Sequence, residues 1–191
     1  DYSYQQHMDW LEQSATTVDT KMFDDRTGYE GYYANSAADW TNQNGKGFGP
    51  TVDGITTWML FKYLLELDQM DKDRLRGVAD NIVDHMYGSM SNPIVLLGFA
   101  ENFDNNWNIN MGSTGGDVGH IYKTSWCLAR AYNLFGDEKY KTAALDIFND
   151  ITDNGGYDFV NGGPYMHFDW EEGTITRKDK DYWMLEKGGM A

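Results

Sequence analysis

Apolar side chains recur at helical spacing in six separate segments of the chain. The first segment, residues 4–24, places an apolar residue on one face at every third or fourth position. The other segments begin near residues 50, 71, 118, 137 and 179. Pro50 suits a first helical turn, Asp71 is a candidate N-cap for the third helix, and Gly136 suits the end of the fourth. The pattern predicts a mostly helical chain.

Three long loops rich in glycine, asparagine and aspartate interrupt the helices. Each loop carries an acidic residue close to a tryptophan, and the tryptophans Trp40, Trp107 and Trp170 recur at intervals of roughly 65 residues. Short apolar runs inside the loops, Ile94–Leu97 and Tyr165–Phe168, are predicted to form short strands. The spacing indicates a repeated unit of two helices and one long loop.

The helix pairs also match each other in sequence. The segment YLLELDQMDKDRL aligns with YNLFGDEKYKTAAL, and each contains a tight acidic turn between two helices. The predicted fold is therefore all-α, with about three antiparallel helix hairpins that have short turns at one end and long aromatic loops at the other. Repeated hairpins of this kind stack into a solenoid or close into a ring, and a ring gathers the long loops around one pocket. The 191 residues are interpreted as a single domain or as part of a larger one.

Charge and composition narrow the range of partners. The formal net charge of −15 argues against nucleic acid and anionic membranes, and the chain contains no apolar run of 18 residues. Cys127 is the only cysteine, so no internal disulfide can form. The sequence does not distinguish a cytoplasmic from an exported protein. The chain opens on Asp1 instead of Met, so we expect that an N-terminal segment was removed or left out.

Aromatic residues are the most informative part of the composition. They make up 15% of the chain, and many lie in the polar loops. An aromatic ring covers the apolar face of a pyranose while neighbouring polar groups bind its hydroxyls, so the pattern favours a mono- or oligosaccharide ligand. Alternatively, each of these rings packs against the ends of the helix hairpins and contacts no ligand. The candidate sugar-binding residues from these loops are Asp104, Trp107, Tyr165 and His167.

The segment GDVGHIYKTSWCLAR holds the candidate catalytic residues. It places His120 in the first turn of the fourth helix, with Lys123 one turn later and Trp126 on the apolar side. An imidazole at a glycine-rich helix start can serve as an acid or base, and Lys123 can stabilise a developing oxyanion. A capping or packing histidine and a solvated lysine are the simpler interpretations. The sequence contains no metal-ligand cluster, phosphate loop or Ser/His/Asp triad, so no metal or cofactor is expected.

Three segments in order resemble the N-acylglucosamine 2-epimerase superfamily, which includes cellobiose 2-epimerases and aldose–ketose isomerases. VGHIYKTSWCLARAY resembles the family's GH-x-x-E-x-x-W helix start. HMYGSMSNPIVLLGFAENFDNNWN resembles the loop before it, and NGGYDFVNGGPYMHFDWEEGTITRKDKDYWMLEKGGMA resembles the glycine-rich segment that leads to a K-x-W-W-x-Q-A-E helix. The resemblance covers roughly residues 55–191 and implies an (α/α)6 toroid of which this chain forms about half. The remaining helices would come from the same longer polypeptide or from a partner.

The resemblance also implies roles for individual residues. His120 corresponds to a family histidine that moves a proton next to a sugar carbonyl. Lys123 stands where the family has a glutamate, and Trp58 stands where cellobiose 2-epimerases have a further histidine. Trp183 matches the family's W-W pair, and Glu186 lies at or beside its glutamate. Four further candidate sugar-binding residues are therefore Trp58, Trp126, Trp183 and Glu186.

Three functions remain open on the sequence. The first is a sugar 2-epimerase or aldose–ketose isomerase with His120 as acid and base. The second is a glycoside hydrolase of the same toroid fold that resembles the α-1,6-mannanases, which needs two carboxylates at the site. The third is a non-catalytic carbohydrate-binding toroid, favoured by the changes at Lys123 and Trp58.

Overall fold

The computed structural model describes residues 3–87, 99–110 and 115–190. Helices dominate this part of the chain, as the apolar spacing predicts. Their bounds are Tyr4–Lys21 (α1), Leu60–Glu66 (α2), Gln69–Asn81 (α3), Val118–Phe135 (α4), Glu138–Ile151 (α5) and Tyr182–Met190 (α6). Wider π-helical turns extend several of them: Gly49–Asp53 and Ile55–Met59 lead into α2, Ile82–Tyr87 follows α3, and Thr152–Gly156 follows α5. None of the described helices is long and apolar enough to cross a membrane.

Two helix hairpins share one turn geometry. Leu67 ends α2 and Gly136 ends α4, each in the left-handed conformation, with φ of 54° and 71°. The next residue, Asp68 or Asp137, then caps the following helix by accepting hydrogen bonds from its first amide groups. The matched hairpins predicted from the sequence are therefore confirmed, and so is the end of the fourth helix at Gly136.

The prediction that Asp71 caps the third helix is wrong. Asp68 is the N-cap, and α3 begins at Gln69. Because the left-handed Leu67 already ends α2, the next helix restarts immediately, with Asp68 in extended conformation beside the free amides. Asp71 lies inside α3, and its carboxylate binds Lys62 at 2.6 Å.

The hairpin match leads to a test of stability. Leu67→Gly is expected to stabilise the protein by about 0.5–1 kcal/mol, because a left-handed conformation strains any side chain with a Cβ. Leu67 is 69% exposed, so little buried contact is lost. The urea midpoint of unfolding measures the change, and Gly136→Ala at the matching turn should lower that midpoint. A lower midpoint for Leu67→Gly would contradict the turn assignment.

The long loops fold into short β-hairpins. The paired strands are Phe23–Asp24 (β1) with Gly31–Tyr32 (β2), Lys46–Gly47 (β3) with Asn102–Phe103 (β4), and Gly115–Asp117 (β5) with His167–Asp169 (β6) and Thr174–Arg177 (β7). β6 overlaps the strand predicted at Tyr165–Phe168. The strand predicted at Ile94–Leu97 lies outside the described residues.

The loop repeat predicted from the tryptophans is visible in the backbone of the first two long loops. Trp40 and Trp107 each have a left-handed backbone, with φ of 62° and 60°, at the turn of a short hairpin. Trp170 starts the turn between β6 and β7 and is 1% exposed. Trp107 is 7% exposed, whereas Trp40 is 43% exposed. The left-handed tryptophan turn thus recurs in the first two long connections, and the third places Trp170 at a turn without it.

A buried ion cluster fixes the first loops against each other. The Lys46 ammonium lies 2.8 Å from Asp24, which also binds Arg26 at 2.8 Å, and the Lys46 side chain is fully buried. Burial alone would raise the pKa of the Asp24 carboxyl, but hydrogen bonds from Arg26 and Lys46 hold that pKa well below its usual range. Because Lys46 belongs to β3, the cluster sets the position of the residues that follow it, including Phe48.

Candidate functional site

His120 is held by a carboxylate from another segment. Its Nδ1 lies 2.9 Å from Oε1 of Glu101, which also accepts a hydrogen bond of 2.9 Å from the backbone N–H of Asp117. A carboxylate only accepts hydrogen bonds, so Nδ1 carries the proton and donates it. In the neutral ring, Nε2 then has a free electron pair and can remove a proton.

Aromatic rings fix the plane of the His120 imidazole. Phe48 stacks on it with ring centroids 3.8 Å apart and planes at 21°. Trp183 of α6 approaches it at 5.3 Å. A Cβ at Gly119 would lie 2.8 Å from the Trp183 ring and 2.5 Å from the sulfur of Met184, so α6 packs this closely only because residue 119 is glycine. These ring contacts hold the imidazole in one orientation.

A second histidine lies next to the first. β5 pairs with β6 so that Asp117 stands opposite His167, and the Asp117 Oδ1 binds Nδ1 of His167 directly. The other carboxylate oxygen of Asp117 lies 3.7 Å from Nε2 of His120, which is too long for a hydrogen bond. One carboxylate therefore separates the two imidazoles.

Lys123 contributes a positive charge one turn along α4. Its ammonium forms an ion pair with Asp53, at the helical start that leads into α2, and lies 5.9 Å from the Phe48 ring. The Lys123 side chain is 13% exposed and the Asp53 side chain 43%. The ammonium thus lies near the Phe48 ring that stacks on His120, and a positive charge there can stabilise negative charge on a bound ligand.

An open cleft of about 470 Å³ lies beside His120. Phe48, Asp53, Glu101 and His120 contribute to its lining. A neighbouring pocket of about 260 Å³ shares Gly49, Pro50 and Asp53 with the cleft and is lined in part by Trp58. Among the described residues, no group of three or more His, Cys, Asp or Glu side chains could hold a metal ion.

The structure brings some of the sequence candidates together. His120, Lys123, His167 and Trp183 lie around the start of α4, and Trp58 lies in the neighbouring pocket. Their roles in binding and catalysis stay predictions.

Other candidates make mainly structural contacts. The side-chain amide of Asn108 donates a hydrogen bond to the Asp104 carboxylate, and the backbone N–H groups of Asn106 and Asn108 donate two more. Together these bonds lower the pKa of the Asp104 carboxyl. Trp107 donates from its indole N–H to the carbonyl of Glu30 and stacks on His85 at 4.6 Å. Both residues thus stabilise the loop after β4, and their predicted sugar contacts stay untested.

The remaining candidates lie on α4, α6 and the approach to β6. Trp126 is half-buried against the core, with the Arg130 guanidinium 4.6 Å from its ring. Tyr165 is half-buried, with two lysine ammonium groups within 5.9 Å of its ring. The Glu186 side chain is 48% exposed and lies 3.6 Å from the Lys187 ammonium.

Sequence reasoning missed four residues of the site, and Asp117 is one of them. Glu101, Asp53 and Phe48 were not among the predicted residues, although Glu101 opens the ENFDNN segment that carries part of the family resemblance. The missing information is spatial, because Glu101 lies 19 positions before His120 and Asp53 lies 70 before Lys123. One sequence signal could have identified Glu101, namely an acidic residue directly after a short apolar segment. No comparable signal marks Asp53 or Phe48.

Comparison with solved structures identifies the fold. A crystal structure of D-mannose isomerase matches 97% of this chain and 47% of its own chain, with 17% identity and a TM-score of 0.80. Cellobiose 2-epimerase from Bacillus thermoamylovorans B4167 matches 98% of this chain and 53% of its own, with 16% identity and a TM-score of 0.72. A family 76 glycoside hydrolase from a bovine Bacteroides thetaiotaomicron strain matches 94% of this chain and 35% of its own, with 15% identity and a TM-score of 0.62.

No protein-family model and no curated protein sequence matches the chain. The chain spans about half the length of the first two structures, 47% and 53%. The predicted architecture is therefore confirmed: the chain is a partial (α/α)6 toroid, with the fold found in sugar epimerases and isomerases.

Proposed function

We propose that this partial (α/α)6 toroid acts on a sugar, by removing and returning a proton at the carbon next to the sugar carbonyl. His120 is the acid and base, and Glu101 holds its imidazole in the productive tautomer. The reaction class is that of a sugar 2-epimerase or an aldose–ketose isomerase.

The hydrogen bond between Glu101 and Nδ1 of His120 carries the proposal. The bond sets the proton on Nδ1 and leaves Nε2 as the basic atom beside an open cleft. The Glu101 charge also stabilises the imidazolium that forms when the base takes a proton. An imidazole that served only as a packing residue would need neither feature.

Other residues of the site suit an open-chain sugar. Abstraction of the C2 proton places negative charge on the carbonyl oxygen, and the Lys123 ammonium supplies a nearby positive charge. Trp58 and Trp183 offer aromatic faces near the cleft. Since the chain spans about half of the matching structures, we propose that further helices complete the binding site.

Proton exchange tests the function directly. The natural-length protein is incubated in D₂O with mannose, glucose, fructose and cellobiose, and NMR follows the proton next to the carbonyl. Loss of that signal on at least one sugar is the expected result. If none of these sugars exchanges its proton next to the carbonyl in the presence of the folded protein, the proposed function is wrong.

The hydrolase alternative has a separate readout. It requires two carboxylates free to act as acid and nucleophile. Glu101 and Asp117 both lie at the site, but each binds a histidine. New reducing ends released from a mannan would support a hydrolase, and saturable sugar binding with no reaction would support a binding protein.

The role of Glu101 leads to its own prediction. Glu101→Gln is expected to slow proton exchange by about 10- to 100-fold, because a hydrogen bond to a charged group contributes about 1.5–3 kcal/mol and 1.36 kcal/mol corresponds to tenfold in rate. The exchange rate in D₂O measures the loss. Glu12→Gln, on the exposed surface of α1, is the matched control and should leave the rate unchanged. An unchanged rate in Glu101→Gln would show that the carboxylate does not set the state of His120.

A further inference from the structure

We propose that Lys46 is a positioning residue for His120, which it orients through β3 and β4 without touching a ligand. This role rests on the proposed function and adds a residue to it. The side chain of Lys46 is fully buried, although its residue belongs to the strand that borders the cleft. The ammonium is therefore enclosed by protein and acts only through the backbone that it holds.

The Lys46 ammonium lies in a closed environment built mainly by the β1–β2 hairpin. It binds the Asp24 carboxylate at 2.8 Å and donates a hydrogen bond to the backbone carbonyl of Tyr29. The rings of Tyr33 and Trp107 lie 5.5 Å and 5.3 Å from it. Burial lowers the pKa of Lys46, and the charge of Asp24 opposes that shift. Because removal of one partner of a buried ion pair is strongly destabilising, the pair fixes β3 to β1.

The same ion cluster also reaches the loop after β4. Arg26 binds the Asp24 carboxylate and donates a hydrogen bond of 2.9 Å to the backbone carbonyl of Asn105. Lys46 itself stands opposite Phe103 in the β3–β4 pair. The cluster therefore ties both strands to β1, directly at β3 and through the following loop at β4.

The β3–β4 pair leads to two residues that contact the imidazole. One step beyond the last residue pair of the two strands, the backbone N–H of Phe48 donates a hydrogen bond of 2.9 Å to the carbonyl of Glu101. The Phe48 ring stacks on His120, and the Glu101 carboxylate binds Nδ1 of His120. The ring and the carboxylate are thus joined by one backbone hydrogen bond, so a displacement of β3 moves both.

The orientation of the imidazole links this backbone to the reaction. Nε2 of His120 can act as a base only while Nδ1 carries the proton, and Glu101 sets that state. A displacement of about 1 Å can lower the rate of a catalysed step about 100-fold. Lys46 should therefore contribute to kcat and not to sugar binding.

Replacement of Lys46 by methionine, which has a side chain of similar length without the charge, tests this role in the natural-length protein. For exchange of the proton next to the sugar carbonyl, kcat is expected to fall about 10- to 100-fold, with KM changed less than about threefold. Lys62→Met is the matched control, because it breaks another ion pair, of 2.6 Å, between α2 and α3. It should lower the urea midpoint of unfolding and leave kcat unchanged. Equal losses of kcat in the two variants, or no loss in Lys46→Met, would overturn the role of Lys46.

The tautomer of His120 gives a readout that needs no activity. Nitrogen NMR of isotope-labelled histidine at alkaline pH distinguishes a proton on Nδ1 from a proton on Nε2, and His120→Gln assigns the signals. The original protein should carry the proton on Nδ1, whereas Lys46→Met should show a mixture of both tautomers. An unchanged tautomer in Lys46→Met would contradict the positioning role. A mixture of tautomers without exchange on any sugar would support the effect of Lys46 on His120 and remove the proposed function.

A second variant applies if Lys46→Met does not fold, because that change leaves the Asp24 carboxylate buried beside an uncharged side chain. Asp24→Asn combined with Lys46→Met removes both charges, and replacement of a buried pair by neutral groups is often tolerated. The double variant is expected to fold and still to exchange slowly, with both tautomers of His120. Exchange at the original rate from the double variant would show that the ion pair does not position His120.

Discussion

Replacement of His120 by glutamine is expected to reduce exchange of the C2 proton by about 100- to 10,000-fold, the usual contribution of a general acid or base. The glutamine amide occupies similar space but has no basic nitrogen. Phe48, Trp183 and Glu101 surround the site, so the fold should keep its thermal stability within a small change. The exchange rate in D₂O and the melting temperature together measure the effect.

The control for this experiment is another histidine outside the site. His85 stacks on Trp107 in the loop region, so His85→Gln should affect stability more than exchange. If His120→Gln exchanged the C2 proton as fast as the original protein, His120 would be a packing residue and the proposed function would lose its base.

Replacement of Gly47 by alanine is expected to destabilise the protein by about 2–3 kcal/mol, because the change combines backbone strain with a steric clash. Gly47 has φ of 144°, and a Cβ there would lie 2.0 Å from the backbone oxygen of Glu101. The clash separates β3 from β4 and displaces Glu101, the partner of His120. Urea unfolding should therefore show a lower midpoint, and C2 proton exchange should slow as well.

Gly77→Ala is the matched control for Gly47. Gly77 lies inside α3, and a Cβ there meets no atom within 4 Å. Alanine at this helical position is expected to raise stability by about 0.5–1 kcal/mol and to leave exchange unchanged. Equal midpoints for the Gly47 variant and the original protein would show that β3 and β4 do not approach this closely.

Much of the fold could be predicted because its signals are local. Helical spacing identified the helices, and Gly136 marked the end of α4 correctly. The wrong cap at Asp71 arose because Leu67 adopts a conformation that its residue type does not favour. The first helix also ends at Lys21 and not at residue 24, and the sixth begins at Tyr182 and not near residue 179. The spacing of apolar and polar residues could not show that α2 ends at Leu67 and that Asp68 caps α3.

The candidate site was predictable only in part. His120 was identified from its position at a glycine-rich helix start, and His167 from its aromatic surroundings. The contact of His167 with Asp117 depends on the pairing of β5 with β6, in which these two residues stand opposite each other although they are 50 positions apart. No residue type or spacing within either segment specifies that pairing.

The sequence by itself determined the helices, the repeated loops and the histidine at the start of α4, since these depend on interactions between residues a few positions apart. The tertiary structure alone decided which carboxylate binds His120, which ring stacks on it and which acid pairs with Lys123. The partners Glu101, Phe48 and Asp53 come from separate segments. Their contacts form only when the hairpins pack, because hydrogen bonds and ring stacking act over a few ångströms and depend on relative position and not on sequence separation.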